Sequence, residues 1–109
     1  MAFDQNLPEP ARCQGSLVST RNLSSTLFFS HPANPQGARA MMTVRRSDDG
    51  GASWPRSLLV FAGGAAYSCL SPMPAQFPGR VGLLFEREGD ECSGGASCKI
   101  AFTALDAKF

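Results

Sequence analysis

A run of positive charge is what this 109-residue sequence most plainly lacks: ten Lys and Arg stand against nine Asp and Glu, and only Arg45-Arg46 are adjacent. Without a basic stripe, nothing points to nucleic acid or an anionic membrane as a partner. No apolar run approaches the roughly 20 residues that a membrane span needs. The opening MAFDQNLPEP has neither the basic nor the apolar part of a secretion signal, so the compartment stays open. Four cysteines (Cys13, Cys69, Cys92, Cys98) are too few for a disulfide-built miniprotein, and their spacings match no zinc pattern. Neither a metal nor a cofactor is expected. Cys92 and Cys98 flank a Gly/Ser loop and could bridge a hairpin in an oxidising environment, and Asn22-Leu23-Ser24 is a glycosylation sequon that matters only in a secretory compartment.

Sustained 3.6-residue periodicity is also missing. What the chain has instead is short apolar or β-branched runs separated by turn residues, and this predicts an all-β fold. The expected strands are Ser16–Ser19, Thr26–Ser30, Ala40–Arg46, Ser57–Ala62, Tyr67–Ser71, Val81–Arg87 and Ile100–Leu105. PANPQG, DDGG, AGG, SPMPAQFPG and GDECSGGAS lie between them, rich in turn formers. Seven short strands suit a sandwich or about two four-stranded propeller blades, and pattern alone leaves both open. The polar, proline-containing DQNLPEPARCQGS reads as a connection entering a strand. His31, the single histidine, reads as a loop residue in a Ser-His-Pro turn without an acid–base partner.

Ser47-Asp48-Asp49-Gly50-Gly51-Ala52-Ser53-Trp54 follows one expected strand and precedes another. It resembles the S-x-D-x-G-x-x-W pattern called an Asp box, carried here by Ser47, Asp49, Gly51 and Trp54. Asp49 is expected to accept hydrogen bonds from its own hairpin, the two glycines to take positive φ, and Trp54 to pack over the turn. Such a turn is a folding device and performs no catalysis.

The segments around this box, taken in order, are similar to those of the sialidase (neuraminidase) family, most closely in the look of lysosomal and bacterial exo-sialidases. LPEPARCQGSLVS resembles a strand-entry segment, LFFSHPANPQGAR the strand and loop that deliver an arginine of a carboxylate-binding triad, GGAAYSCL the segment of a nucleophilic tyrosine, and VGLLFERE the strand whose glutamate holds another triad arginine. KIAFTAL resembles the last strand. Arg39 thus falls on the family's arginine, Tyr67 on its nucleophile and Glu86 on its arginine-orienting glutamate; Tyr67 follows Arg39 by 28 positions and Glu86 follows Tyr67 by 19.

The resemblance implies antiparallel blades of a six-bladed β-propeller, with residues 1–109 forming an incomplete C-terminal part of about two blades. It implies a retaining exo-α-sialidase acting on sialylated glycoproteins, glycolipids and oligosaccharides through a covalent sialyl-tyrosine. A neutral phenol suits that chemistry, because the anomeric carbon carries a carboxylate that would repel an anionic nucleophile. Arginine suits the same carboxylate through its two parallel N–H donors. Two departures stand out: many relatives have YSDL where this chain has Cys69 in YSCL, and two triad arginines, the acid/base aspartate and the activating glutamate belong to upstream blades, the partner that the resemblance implies. The alternatives are a non-catalytic Asp-box propeller or lectin-like module, and a small self-contained β domain with an interaction role. Because about two blades cannot close a ring of four to eight, apolar faces around Phe28, Leu58 and Leu84 are expected to be partly exposed.

Overall fold

The computed structural model describes residues 7, 11–20, 23–90 and 95–109. Its strands are β1 (Ser16–Thr20), β2 (Leu23–Pro32), β3 (Ala40–Ser47), β4 (Arg56–Pro72), β5 (Arg80–Arg87) and β6 (Lys99–Asp106). Each pairs antiparallel with the next, in the order β1-β2-β3-β4-β5-β6. The fold is all-β, and its two antiparallel meanders fit the expectation of propeller blades. Among the described residues no helix is long and apolar enough to cross a membrane.

Among the described residues six strands form where seven are expected, because Ser57–Ala62 and Tyr67–Ser71 are one 17-residue strand. Gly63 and Gly64 look like a turn in the sequence, yet neither has a positive φ. Their small size serves close approach: a Cβ on Gly64 would lie 3.0 Å from Glu88 Oε2, and one on Gly63 would collide with the same carboxylate. The chain therefore stays extended and changes partners. The Arg56–Gly64 half pairs with β3 and the Ala65–Pro72 half with β5. β4 is thus the outer strand of a first, four-stranded meander and the first strand of a second.

The two meanders face each other across one apolar core. Phe28, Met42 and Val44 of the first meet Leu70, Val81, Leu83, Phe85 and Leu105 of the second. Phe28 is fully buried there, against expectation, because the second blade supplied by this same chain covers it. Leu58 packs at the edge of that core. On the face of the second blade turned away from it, Leu84 is 46%, Ile100 64% and Phe102 61% exposed, so the expected open apolar face is present there.

His31 is not a loop residue. It lies in β2, fully buried, with its ring 4.9 Å from that of Phe29 and its Nε2 accepting a 2.9 Å hydrogen bond from Arg45 Nε. The Phe29 ring and the Arg45 side chain take in a histidine whose Ser-His-Pro setting suggests a turn. Cys98 is disulfide-bonded, whereas Cys92 and the sequon residue Asn22 lie outside the described residues. Cys13 is buried and Cys69 exposed.

Candidate active site

The Asp box occupies the β3–β4 turn. Gly50 and Gly51 have φ of 71° and 97°, values at which a Cβ would be strained. Asp49 closes the turn: its Oδ1 accepts from the Ser53 N–H at 2.9 Å and the Ser47 hydroxyl at 2.7 Å, and its Oδ2 accepts from the Ser53 hydroxyl at 2.6 Å. The Gly51 N–H donates to Ser47 Oγ at 2.9 Å. These bonds, those of Ser53 and then Ser47 foremost, lower the Asp49 carboxyl from its ordinary 3.8 to about 2. Beside it, a hydrogen bond from Arg46 Nε holds Asp48 below the usual carboxylate value. Trp54 is buried with its ring edge-on to Phe29. The box is a structural staple, as its residue types require.

At the other end of the β3–β4 ladder, about 25 Å along an extended strand, stand the residues picked out for chemistry. The ladder runs from Arg46 opposite Arg56, next to the box, to Ala40 opposite Gly64. Arg39 comes just before β3, at the end of a tight β2–β3 connection in which Asn34 accepts from both Gln36 and Gly37. Met41 then takes a φ of 66°, where β3 slips against β4. A left-handed methionine is an uncommon, strained conformation. It is held by its carbonyl, which accepts from the Ala33 N–H and the Thr43 hydroxyl, both at 2.9 Å.

This geometry puts Arg39 against the tyrosine segment. The Ala65 N–H donates to the Arg39 carbonyl at 3.0 Å, and the Arg39 guanidinium carbon lies 5.6 Å from the centre of the Tyr67 ring, within range of a cation–π contact. Tyr67 is 44% exposed. Its backbone N–H donates to Glu86 Oε2 at 3.1 Å. Arg39, Tyr67 and Glu86 are therefore brought together on one side of the molecule, away from the Asp box. A shallow concavity of about 180 Å³ is lined by Tyr67 and Glu86, with Gln14, Cys69, Leu84 and Ile100 also in its wall. Cys69, two positions after Tyr67, shares its side of the strand, so the YSCL departure falls inside this concavity.

Sequence reasoning passed over the pair that fixes the tyrosine strand from behind. Ser30 Oγ and Ser68 Oγ are 2.7 Å apart and buried between the blades. Ser16 Oγ accepts from the Leu70 N–H at 2.9 Å. The signal was available: both serines stand at inward positions of alternating strands, where an unpaired hydroxyl would be costly. Among the described residues no group of three or more His, Cys, Asp or Glu is placed to hold a metal ion.

No protein-family model matches the sequence. A sialidase of Micromonospora viridifaciens is 32% identical over 92 residues, which take in 79% of this chain and 14% of that protein. Among solved structures, the Hadza microbial sialidase Hz136 matches with a TM-score of 0.67 and 32% identity over 92% of this chain and 18% of its own. The chain thus spans less than a fifth of the length of either relative. Both matches agree with the ordered motifs and the blade architecture, and together they support a sialidase-family fragment that corresponds to part of a β-propeller.

Proposed function

We propose that this chain is the C-terminal, nucleophile-bearing portion of the propeller of a retaining exo-α-sialidase, with sialylated glycoproteins, glycolipids and oligosaccharides as substrates. In this reading Tyr67 Oη attacks the anomeric carbon and gives its proton to a base. The glycosidic oxygen leaves with a proton from an acid, and water then cleaves the sialyl-tyrosine to restore the phenol. Base, acid and two further arginines come from propeller blades beyond these residues. Arg39 grips the substrate carboxylate, and Glu86 orients an arginine from another blade.

The observation that carries this reading is the convergence of Arg39, Tyr67 and Glu86, which lie far apart in sequence, around one exposed phenol. A purely structural Asp-box module has no need to hold an arginine over a solvent-facing tyrosine at the end remote from its boxes. The test is hydrolysis of a fluorogenic sialoside. The isolated chain should be inactive, because a phenol without its base is a poor nucleophile at neutral pH. The longer protein that contains it should be active with retention, and its Tyr67→Phe variant should lose most of the turnover with the fold intact. Wild-type turnover in that variant would remove Tyr67 as nucleophile and leave the lectin-like module as the better reading.

A further inference from the structure

Tyr67 faces outward because the ladder is irregular just before it. Ala65 is opposite Arg87 and Ser68 is opposite Phe85, so Ala66 and Tyr67 together oppose the single residue Glu86. This is a β-bulge. Its effect is legible in the burial of β4: Ala65 is buried in the core between the blades and Ala66 in a separate cluster with Ala11 and Cys13, after which Tyr67 is exposed, Ser68 buried, Cys69 exposed and Leu70 buried in the core again. Strict alternation from Ala65 would have turned Tyr67 into the core between the blades. One inserted residue reverses every side chain that follows.

A bulge that aims a side chain also strands a main-chain donor, since two N–H groups now face one partner residue. β5 itself keeps a regular alternation, with Val81, Leu83 and Phe85 buried, so Glu86 projects on the same side as Tyr67. Its Oε2 accepts the Tyr67 N–H at 3.1 Å. We infer that Glu86 is a positioning residue for Tyr67, its carboxylate standing in for the missing ladder carbonyl and holding the bulge that turns the phenol outward. This contact lies wholly within the segment and is distinct from the holding of an arginine from another blade. Its consequence for catalysis rests on Tyr67 being the nucleophile.

Amide hydrogen exchange of the 109-residue chain, read by NMR, tests this without any substrate. Glu86→Gln keeps a side-chain carbonyl at the same reach and should leave the Tyr67 amide as protected as in the wild type. Glu86→Ala cannot accept the bond and should speed exchange at Tyr67 by about tenfold or more, the loss expected for one hydrogen bond, while the Val44 and Leu83 amides keep their protection. The inference is overturned if Tyr67 exchanges equally slowly in Glu86→Ala, or if Glu86→Gln loses protection to the same extent as Glu86→Ala. Should Glu86→Ala not fold, Glu86→Gln alone decides: retained protection supports the role and lost protection refutes it. Failure of the sialidase reading would leave this result unchanged, because neither turnover nor sialic acid enters the measurement.

Discussion

The Arg39 guanidinium carbon stands 5.6 Å from the centre of the Tyr67 ring, and the Arg39 carbonyl is bonded to the Ala65 N–H two residues before that tyrosine. Backbone and side chain thus fix the same pair. In the proposed enzyme the arginine's forked donors meet the substrate carboxylate beside the attacking oxygen. Arg39→Ala should lower kcat/KM in the longer protein by about two to three orders of magnitude, as when one partner of a buried charged pair is removed. Arg39→Lys should recover little of it, since a point charge cannot make two parallel bonds. Full rescue by lysine, measured on a fluorogenic sialoside, would mean that charge alone matters at this position.

The Asp box gives a pH dependence whose direction is fixed. The Asp49 carboxyl is lowered from 3.8 to about 2 in the folded chain, so the unfolded state takes up its proton first as the solution is acidified. The stability that Asp49 contributes is fully present above about pH 4 and is lost as the pH falls through about 2. Unfolding midpoints followed by circular dichroism between those values should fall more steeply for the wild type than for Asp49→Asn. Parallel curves would show that the Ser47 and Ser53 bonds do not favour the ionised form.

Ser30 and Ser68 share one buried hydrogen bond between the blades. Ser68→Ala strands the Ser30 hydroxyl and should cost about 1–3 kcal/mol in urea unfolding, whereas Ser30→Ala leaves Ser68 Oγ its 3.5 Å bond to the Ser30 carbonyl and should cost less. The double variant should cost clearly less than the two added together. Additive losses would indicate that each hydroxyl is satisfied elsewhere.

Leu84, Ile100 and Phe102 form the open face of the second blade. An apolar sheet face of this kind invites association. Leu84→Glu combined with Phe102→Glu should reduce both the light scattering and the dye binding of the isolated chain without lowering its unfolding midpoint. A wild-type chain already monomeric at high concentration in a sedimentation experiment would count against this expectation.

Much of this was legible in the sequence because propeller strands advertise themselves: an apolar run such as Val81–Arg87 bounded by proline and glycine admits few other readings, and the Asp box names its own turn. Sequence order also picked out Arg39, Tyr67 and Glu86, which the fold brings together. What escaped has physical causes. Gly63-Gly64 reads as a turn because glycine's two uses, positive φ and close approach, look identical in one-letter code. His31 reads as a loop residue because its place in a buried strand depends on Phe29 and Arg45, which reach it only through the fold. Phe28 was expected at an open face, although this chain itself supplies the blade that covers it. The bulge at Ala66 and Tyr67 leaves no mark in the sequence, because it is a relation between two strands.

β4 belongs to both blades, and that has a consequence for how the molecule comes apart. No flexible connector separates the outer strand of the first blade from the inner strand of the second, so the hydrogen-bond ladders on either side of Gly64 share one rod. Opening one ladder removes an edge from the other, and the two meanders should form a single cooperative unit in native-state exchange. Damage at the Asp-box turn is then expected to be felt at the far end of the strand, and a harmless-looking surface substitution near Ser53 to speed amide exchange at a tyrosine it never touches.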